Sequence, residues 1–89
     1  MVLVYRKNGT KGNRIGFSVS KKYGNAVARN KIRRRLKEIV DRERLKLKTG
    51  YDMILVVRKN ARDADFDQLR QAVGALYKKA GLYMPRKDA

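Results

Sequence analysis

The sequence predicts a small domain of mixed strands and helices built around a βαβ unit, and three observations lead there. Ile15, Phe17 and Val19 alternate with Gly16, Ser18 and Ser20, the period of a half-buried strand. Ala28, Ile32, Leu36, Ile39 and Val40 then recur at helical spacing. The most apolar stretch, Tyr51 to Val57, follows and reads as a central strand. Strand, helix and strand in this order imply a βαβ unit, because parallel neighbours need a long crossover between them.

Each element has a local reason. Val2-Leu3-Val4-Tyr5-Arg6 is β-branched and aromatic, and reads as the first strand. Asn8 to Asn13 is rich in Gly and Asn and reads as a turn. The strands on either side of it are expected to form a hairpin. Asn25 suits a helix N-cap, with its side chain accepting from a free N–H of the first turn. The helix is expected over 26–48, and Gly50 suits a left-handed stop for it. The carboxylates of Asp63, Asp65 and Asp67 favour the start of a last helix. Leu69, Ala72, Val73, Leu76 and Ala80 form its apolar stripe, and the chain from Leu82 to Ala89 is expected to fray.

Charge narrows the function. The 89 residues carry 24 Lys and Arg against 8 Asp and Glu, a formal charge of +16, with no histidine and no cysteine. A chain this short buries only about 60–65% of its unfolded surface, so it forms a single small domain. Disulfide scaffolds, Cys/His zinc sites and His-based nucleophile systems are excluded. No apolar run approaches the roughly 20 residues that span a bilayer. Such a surface attracts polyanions, and nucleic acid is the leading partner because phosphate contacts release counterions. Twelve of the basic residues lie in 21–48 against three acids, which marks this third as the binding surface. An anionic membrane surface is the competing partner, and would want bulky apolar residues on one helix face.

The informative stretch is Lys22-Tyr23-Gly24-Asn25-Ala26-Val27-Ala28-Arg29-Asn30-Lys31-Ile32-Arg33-Arg34-Arg35-Leu36-Lys37. At 3.6 residues per turn, Asn30, Arg33, Arg34 and Lys37 fall within an arc of about 100°, opposite the stripe of Ile32, Leu36 and Ile39. One face docks on the sheet and the other offers guanidinium groups, which grip phosphate through paired N–H bonds. The plain alternative is a solvated basic face. Against it, Arg29 with Arg33 and Arg33 with Lys37 are like charges at i,i+4 and repel. Lys22 and Arg29 flank the Asn25 cap, where the positive helix end adds to an anion site.

These residues resemble the signature of the bacterial ribonuclease P protein component. Lys22, Gly24, Asn25, Ala26, Val27, Arg29, Asn30, Arg34 and Lys37 match its pattern as they stand, and Arg33 replaces a common Lys. The flanks are similar too, at Arg14 to Lys21, Gly50 to Arg58 and Leu76 to Tyr83. The resemblance implies a ribosomal protein S5 domain 2-like α+β fold with a left-handed βαβ crossover, against the strong right-handed rule. It implies an accessory subunit in the bacterial cytoplasm that binds the catalytic RNA and the single-stranded 5′ leader of precursor tRNA. The RNA subunit performs the hydrolysis with Mg²⁺, and the protein binds no cofactor of its own. Lys22, Asn25, Arg29, Asn30, Arg33, Arg34 and Lys37 are then the candidate RNA contacts. Tyr5, Ser18, Ser20 and Tyr23 are the candidate leader contacts, and no membrane is involved.

The family pattern has a basic helix ahead of the first strand, and this chain opens at Met1 inside that strand. The missing helix would form one wall of the leader cleft. A truncation, a naturally short form or a start codon set too late would each produce this opening. Weakened leader binding and self-association through an uncovered sheet face are therefore expected.

Other residues carry weaker signals. Asp63, Asp65 and Asp67 have the opening spacing of a calcium loop, but Gln68 and Gly74 stand where it needs Gly and Glu. Asp52 lacks the partner acids of a two-metal nuclease. Phe17 is expected in the core, while Tyr5 and Tyr23 could serve either core or base stacking. A general nucleic-acid or ribosome-associated binder and a protein-only nuclease are the alternative functions.

Overall fold

The computed structural model describes residues 1–85. Three strands form one sheet: β1 (Val2–Lys7), β2 (Arg14–Val19) and β3 (Tyr51–Val57). Two helices, α1 (Ala26–Glu43) and α2 (Phe66–Ala80), pack on one of its faces, and single 3₁₀ turns cover Lys21–Tyr23, Arg44–Lys46 and Lys59–Ala61. The last residues of the expected frayed tail, 86–89, lie outside the described residues.

The strand order is β1-β3-β2, so the expected hairpin between β1 and β2 does not form. β3 lies between them, antiparallel to β1 and parallel to β2. The physical reason lies in the 8–13 segment. Bonds joining Asn8 and Asn13 to the entry of β3 hold it across the start of that strand instead of turning it back along β1. Asn8 N–H donates to Gly50 O at 2.9 Å, Asn13 Nδ2 donates to Lys48 O at 2.8 Å, and Tyr51 N–H donates to Asn13 Oδ1 at 2.9 Å. Placing the most apolar strand in the centre lets both its edges pair. The βαβ unit itself is as expected, with α1 as the crossover between parallel β2 and β3.

The expected course of the first helix needs correction. α1 ends at Glu43, continues as a 3₁₀ turn over Arg44–Lys46, and is extended at Leu47. Gly50 does not cap it. Gly50 has φ +92°, and a Cβ there would stand 2.9 Å from Thr10 O. Its role is to let the 8–13 loop cross over the entry to β3.

The tail is anchored further than expected. Gly81 closes α2 in the left-handed conformation, with Leu82 N–H donating to Tyr77 O. Leu82 is buried, and Leu47 pairs with Tyr83 in an isolated bridge. Lys48 N–H donates to Leu82 O at 2.7 Å and Met84 N–H to Lys46 O at 2.8 Å. α2 begins at an Asp65 cap with a reciprocal bond from the Asp65 N–H to Gln68, a capping box.

The core lies between the sheet and the two helices. Met53, Leu55, Val57 and Val19 meet Ile32, Leu36, Ile39 and Val40 of α1 and Leu69, Val73 and Tyr77 of α2. The stripe of α2 thus runs through Tyr77, while Ala72 is exposed. Phe17 packs half-buried against this core.

Among the described residues, no helix covers the opposite face of the sheet. Strand alternation and register put Val2, Val4 and Arg6, then Asp52, Ile54 and Val56, then Arg14, Gly16 and Ser18 on that side. Val4 is 55% exposed and Ile54 48%.

Candidate RNA interface

The signature region is built from a loop, a cap and three turns of helix. Ser20 Oγ accepts from Lys22 N–H at 3.2 Å and starts the Lys21–Tyr23 turn. Asn25 Oδ1 accepts from Ala28 N–H at 2.9 Å and starts α1. No acid stands in the first turn of α1, so its positive end is left to the surroundings. Asn30, Arg34 and Lys37 are exposed on the outward side, with Arg33 half-buried at its border. Asn30 Oδ1 accepts from Arg33 Nη1 at 3.2 Å, which orients that guanidinium along the helix. Among the described residues none of Lys22, Arg29, Arg33, Arg34 and Lys37 makes an ion pair.

Arg29 differs from its neighbours. In helical projection it falls between Leu36 and Val40, on the core side. It is half-buried, and its Nε is buried without a hydrogen-bond partner among the described residues. Periodicity contained this signal, since Arg29 precedes Ile32 by three positions and Leu36 by seven. Val27, which matches the signature pattern, is 76% exposed on the outward side, an apolar side chain amid cations.

The four candidate leader residues do not share one surface. Ser18 stands on the open sheet face, exposed. Ser20 is half-buried and occupied as a cap. Tyr5 pairs with Met53, which places it on the helix side of the sheet, edge-on to Tyr51 with ring centroids 6.3 Å apart. Tyr23 is 6% exposed and belongs to the core, so its ring offers no face for a base. Its place in the polar Lys-Lys-Tyr-Gly-Asn stretch hid that burial.

The acids have structural roles. Asp52 Oδ1 accepts from Arg14 Nε at 2.9 Å and from Asn8 Nδ2 at 3.0 Å, and Oδ2 accepts from Arg14 Nη2 at 2.8 Å. Arg6 Nη2 lies 3.9 Å from Oδ2. The Arg14 bonds, then the Asn8 bond, hold the Asp52 carboxyl down at about 2. An acid so engaged is committed to the sheet rather than to a metal. No group of three or more His, Cys, Asp or Glu that could hold a metal occurs among the described residues. Burial pushes the Tyr77 hydroxyl up to about 12, with Tyr83 and Glu43 adding to the shift.

A family model described as Ribonuclease P matches residues 1–81. The chain belongs to the ribonuclease P protein family. The ribonuclease P protein component of Finegoldia magna is 48% identical over 73 residues, covering 82% of this chain and 65% of that protein. That of Caldanaerobacter subterraneus is 41% identical over 83 residues, covering 93% and 72%. The chain therefore spans about two-thirds of the first relative and somewhat more of the second. A solved structure of the Staphylococcus aureus ribonuclease P protein superposes with a TM-score of 0.83 at 31% identity, covering 92% of this chain and 75% of that one. That of Thermotoga maritima gives 0.80 at 32% identity, covering 86% and 74%. The α+β fold, with its three-stranded sheet and two helices, is that of the ribonuclease P proteins. No helix among the described residues is long and apolar enough to cross a membrane.

Proposed function

We propose that this chain is the protein subunit of ribonuclease P and binds the catalytic RNA through α1. The carrying observation is the outward arc of Asn30, Arg33, Arg34 and Lys37, an amide beside three cations that have no ion-pair partners among the described residues. Packing holds the opposite side of the helix on the core, so the row is presented by a rigid element. Arg29 adds a further cation at the border between this row and the core, half-buried and without an ion pair among the described residues. Lys22 and Asn25 stand at the positive end of the helix, beside the same row.

The leader of precursor tRNA is assigned to the open sheet face. Its apolar floor of Val4 and Ile54 suits bases, Ser18 offers a hydrogen bond, and Arg6 and Arg14 at one end suit phosphates. Self-association through that floor would compete with the leader, and sedimentation of the free protein reads it.

The protein itself is non-catalytic in this reading. It has no histidine, and Asp52 is held ionised by Arg14 and Asn8, so no group is suited to activating water near neutral pH. Metal-dependent hydrolysis with Mg²⁺ falls to the RNA, and the protein neutralises crowded phosphates and holds substrate. The test is cleavage of precursor tRNA by the purified protein, the RNA and both together, with RNA affinity measured against salt. Arg33→Ala with Arg34→Ala should weaken binding and lower the salt slope by about two units. Unchanged affinity and slope would defeat the α1 assignment, and cleavage by protein free of RNA would defeat the accessory role.

A further inference from the structure

We infer that the two 3₁₀ turns following the parallel strands form a second phosphate-binding cluster, made of Lys21, Lys22, Arg58, Lys59 and Arg62. It extends the RNA footprint around the edge of the sheet beyond α1, and it rests on the reading of the chain as an RNA-binding subunit.

The topology brings these residues together. β2 and β3 are parallel and end side by side, Val19 opposite Val57. The chain therefore leaves both strands at the same edge. Ser20 N–H donates to Val57 O at 3.1 Å and carries the pairing one residue beyond β2. The Lys21–Tyr23 turn and the Lys59–Ala61 turn then pack against each other. Each is fixed to the core by one residue, Tyr23 at 6% exposure and Ala61 at 8%. With those anchors buried, the side chains of Lys21, Lys22, Arg58, Lys59 and Arg62 remain exposed.

The charge there is uncompensated. Among the described residues none of the five makes an ion pair, although Asp63 follows Arg62 directly. Five cations on two touching turns repel each other, and a polyanion relieves that repulsion. The anchors being turned inward, the cluster lacks the bulky exposed apolar residues that a membrane surface would require. Lys22 and the Asn25 cap make it continuous with the α1 row.

The experiment uses the full chain and a transcribed ribonuclease P catalytic RNA, with the dissociation constant measured over a range of KCl concentrations. Three proteins are compared with wild type: Arg58→Gln with Arg62→Gln, Arg33→Gln with Arg34→Gln, and all four changes together. Each pair should lower the salt slope by up to about two units, and the two losses should add. If the Arg58 and Arg62 pair keeps the wild-type slope while the Arg33 and Arg34 pair loses it, the cluster is refuted and α1 stands. If the reverse holds, the cluster stands and the α1 reading falls. If neither pair matters, both fall.

Lysine acetylation of the wild-type complex gives an answer independent of any variant's folding. The RNA should protect Lys21, Lys22 and Lys59 relative to Lys11, which lies in the loop before the other end of β2. Equal modification of all four would overturn the inference.

Discussion

Arg14 grips Asp52 through two hydrogen bonds, Nε to Oδ1 at 2.9 Å and Nη2 to Oδ2 at 2.8 Å, and so ties the two parallel strands at their shared starting edge. Asn8 Nδ2 reaches the same carboxylate at 3.0 Å and brings in the loop that crosses β3. One acid thus links the segments whose order sets the sheet apart from a simple hairpin.

This arrangement predicts an acid-sensitive sheet. The Arg14 bonds first, and the Asn8 bond second, lower the Asp52 carboxyl from 3.8 to about 2. A lowered acid stabilises the fold when ionised. Its contribution is complete above the ordinary value and is lost as the pH falls through about 2. Asp52→Asn should therefore be less stable than wild type near neutral pH, with the gap closing on acidification. Urea unfolding of both proteins across that range measures it. A gap that stays constant would mean that the charge on Asp52 does not contribute.

Gly50→Ala should destabilise the domain by about 1–3 kcal/mol, the usual cost of a strained left-handed residue. Two effects add at this position, φ of +92° and the approach of Thr10 O to 2.9 Å from the Cβ site. Gly9 has φ +71° but open space around it, so Gly9→Ala isolates the backbone effect. Thermal melts should rank Gly50→Ala below Gly9→Ala, and the opposite rank would show that the crossing loop yields.

Much of this was legible in the sequence, for reasons that particular residues make plain. Alternation of Ile15, Phe17 and Val19 and helical spacing of Ile32, Leu36 and Ile39 are local signals, and each predicts which face is buried. The pairing of β3 with β1 was not legible, because periodicity says which way a side chain points and nothing about the neighbouring strand. Asn8, Asn13 and Gly50 looked like ordinary turn and stop residues; only across 35 to 44 positions of sequence do Asn8 with Asp52 and Asn13 with Lys48 meet. Tyr77 and Tyr23 were hidden by chemistry, since a phenol serves either a wet rim or a core. The α1 row was read from spacing alone, while the cluster at the strand ends needed the parallel register to join residues 21–22 with 58–62.

Leu36 is fully buried, with 0% exposure, at the centre of the α1 stripe. Leu36→Ala should cost about 2–5 kcal/mol, the range for emptying a well-packed leucine site. A domain this small has total stability on the order of 5–15 kcal/mol, so the variant should melt far earlier. A shift no larger than that of the exposed Leu45→Ala would contradict the packing.

Tyr77 should behave in the opposite sense. Its ring is fully buried edge-on to Tyr83, with centroids 5.9 Å apart, while its hydroxyl has no partner among the described residues. Burying an unpaired hydroxyl costs about 1–3 kcal/mol, and Phe keeps the ring without it. Tyr77→Phe should therefore raise the melting temperature, whereas Tyr83→Phe, which loses a 3.4 Å bond to Glu43 Oε2, should not. A fall in stability for Tyr77→Phe would reveal a water held by that hydroxyl.

Arg29 offers the sharpest separation of stability from function. Its aliphatic stem lies over the core side of α1, and its Nε is buried without a partner. Methionine has a similar stem, can fill the same half-buried place on the core side, and brings no donor to leave unsatisfied. Arg29→Met should keep or raise the melting temperature of the free protein. If Arg29 contacts one phosphate, the same change should weaken RNA binding and lower the salt slope by about one unit. Arg34→Met is the control: Arg34 is exposed, so its replacement should also cost one unit of slope but should not raise stability. Loss of stability with unchanged RNA affinity in Arg29→Met would assign Arg29 to the fold alone and remove it from the interface.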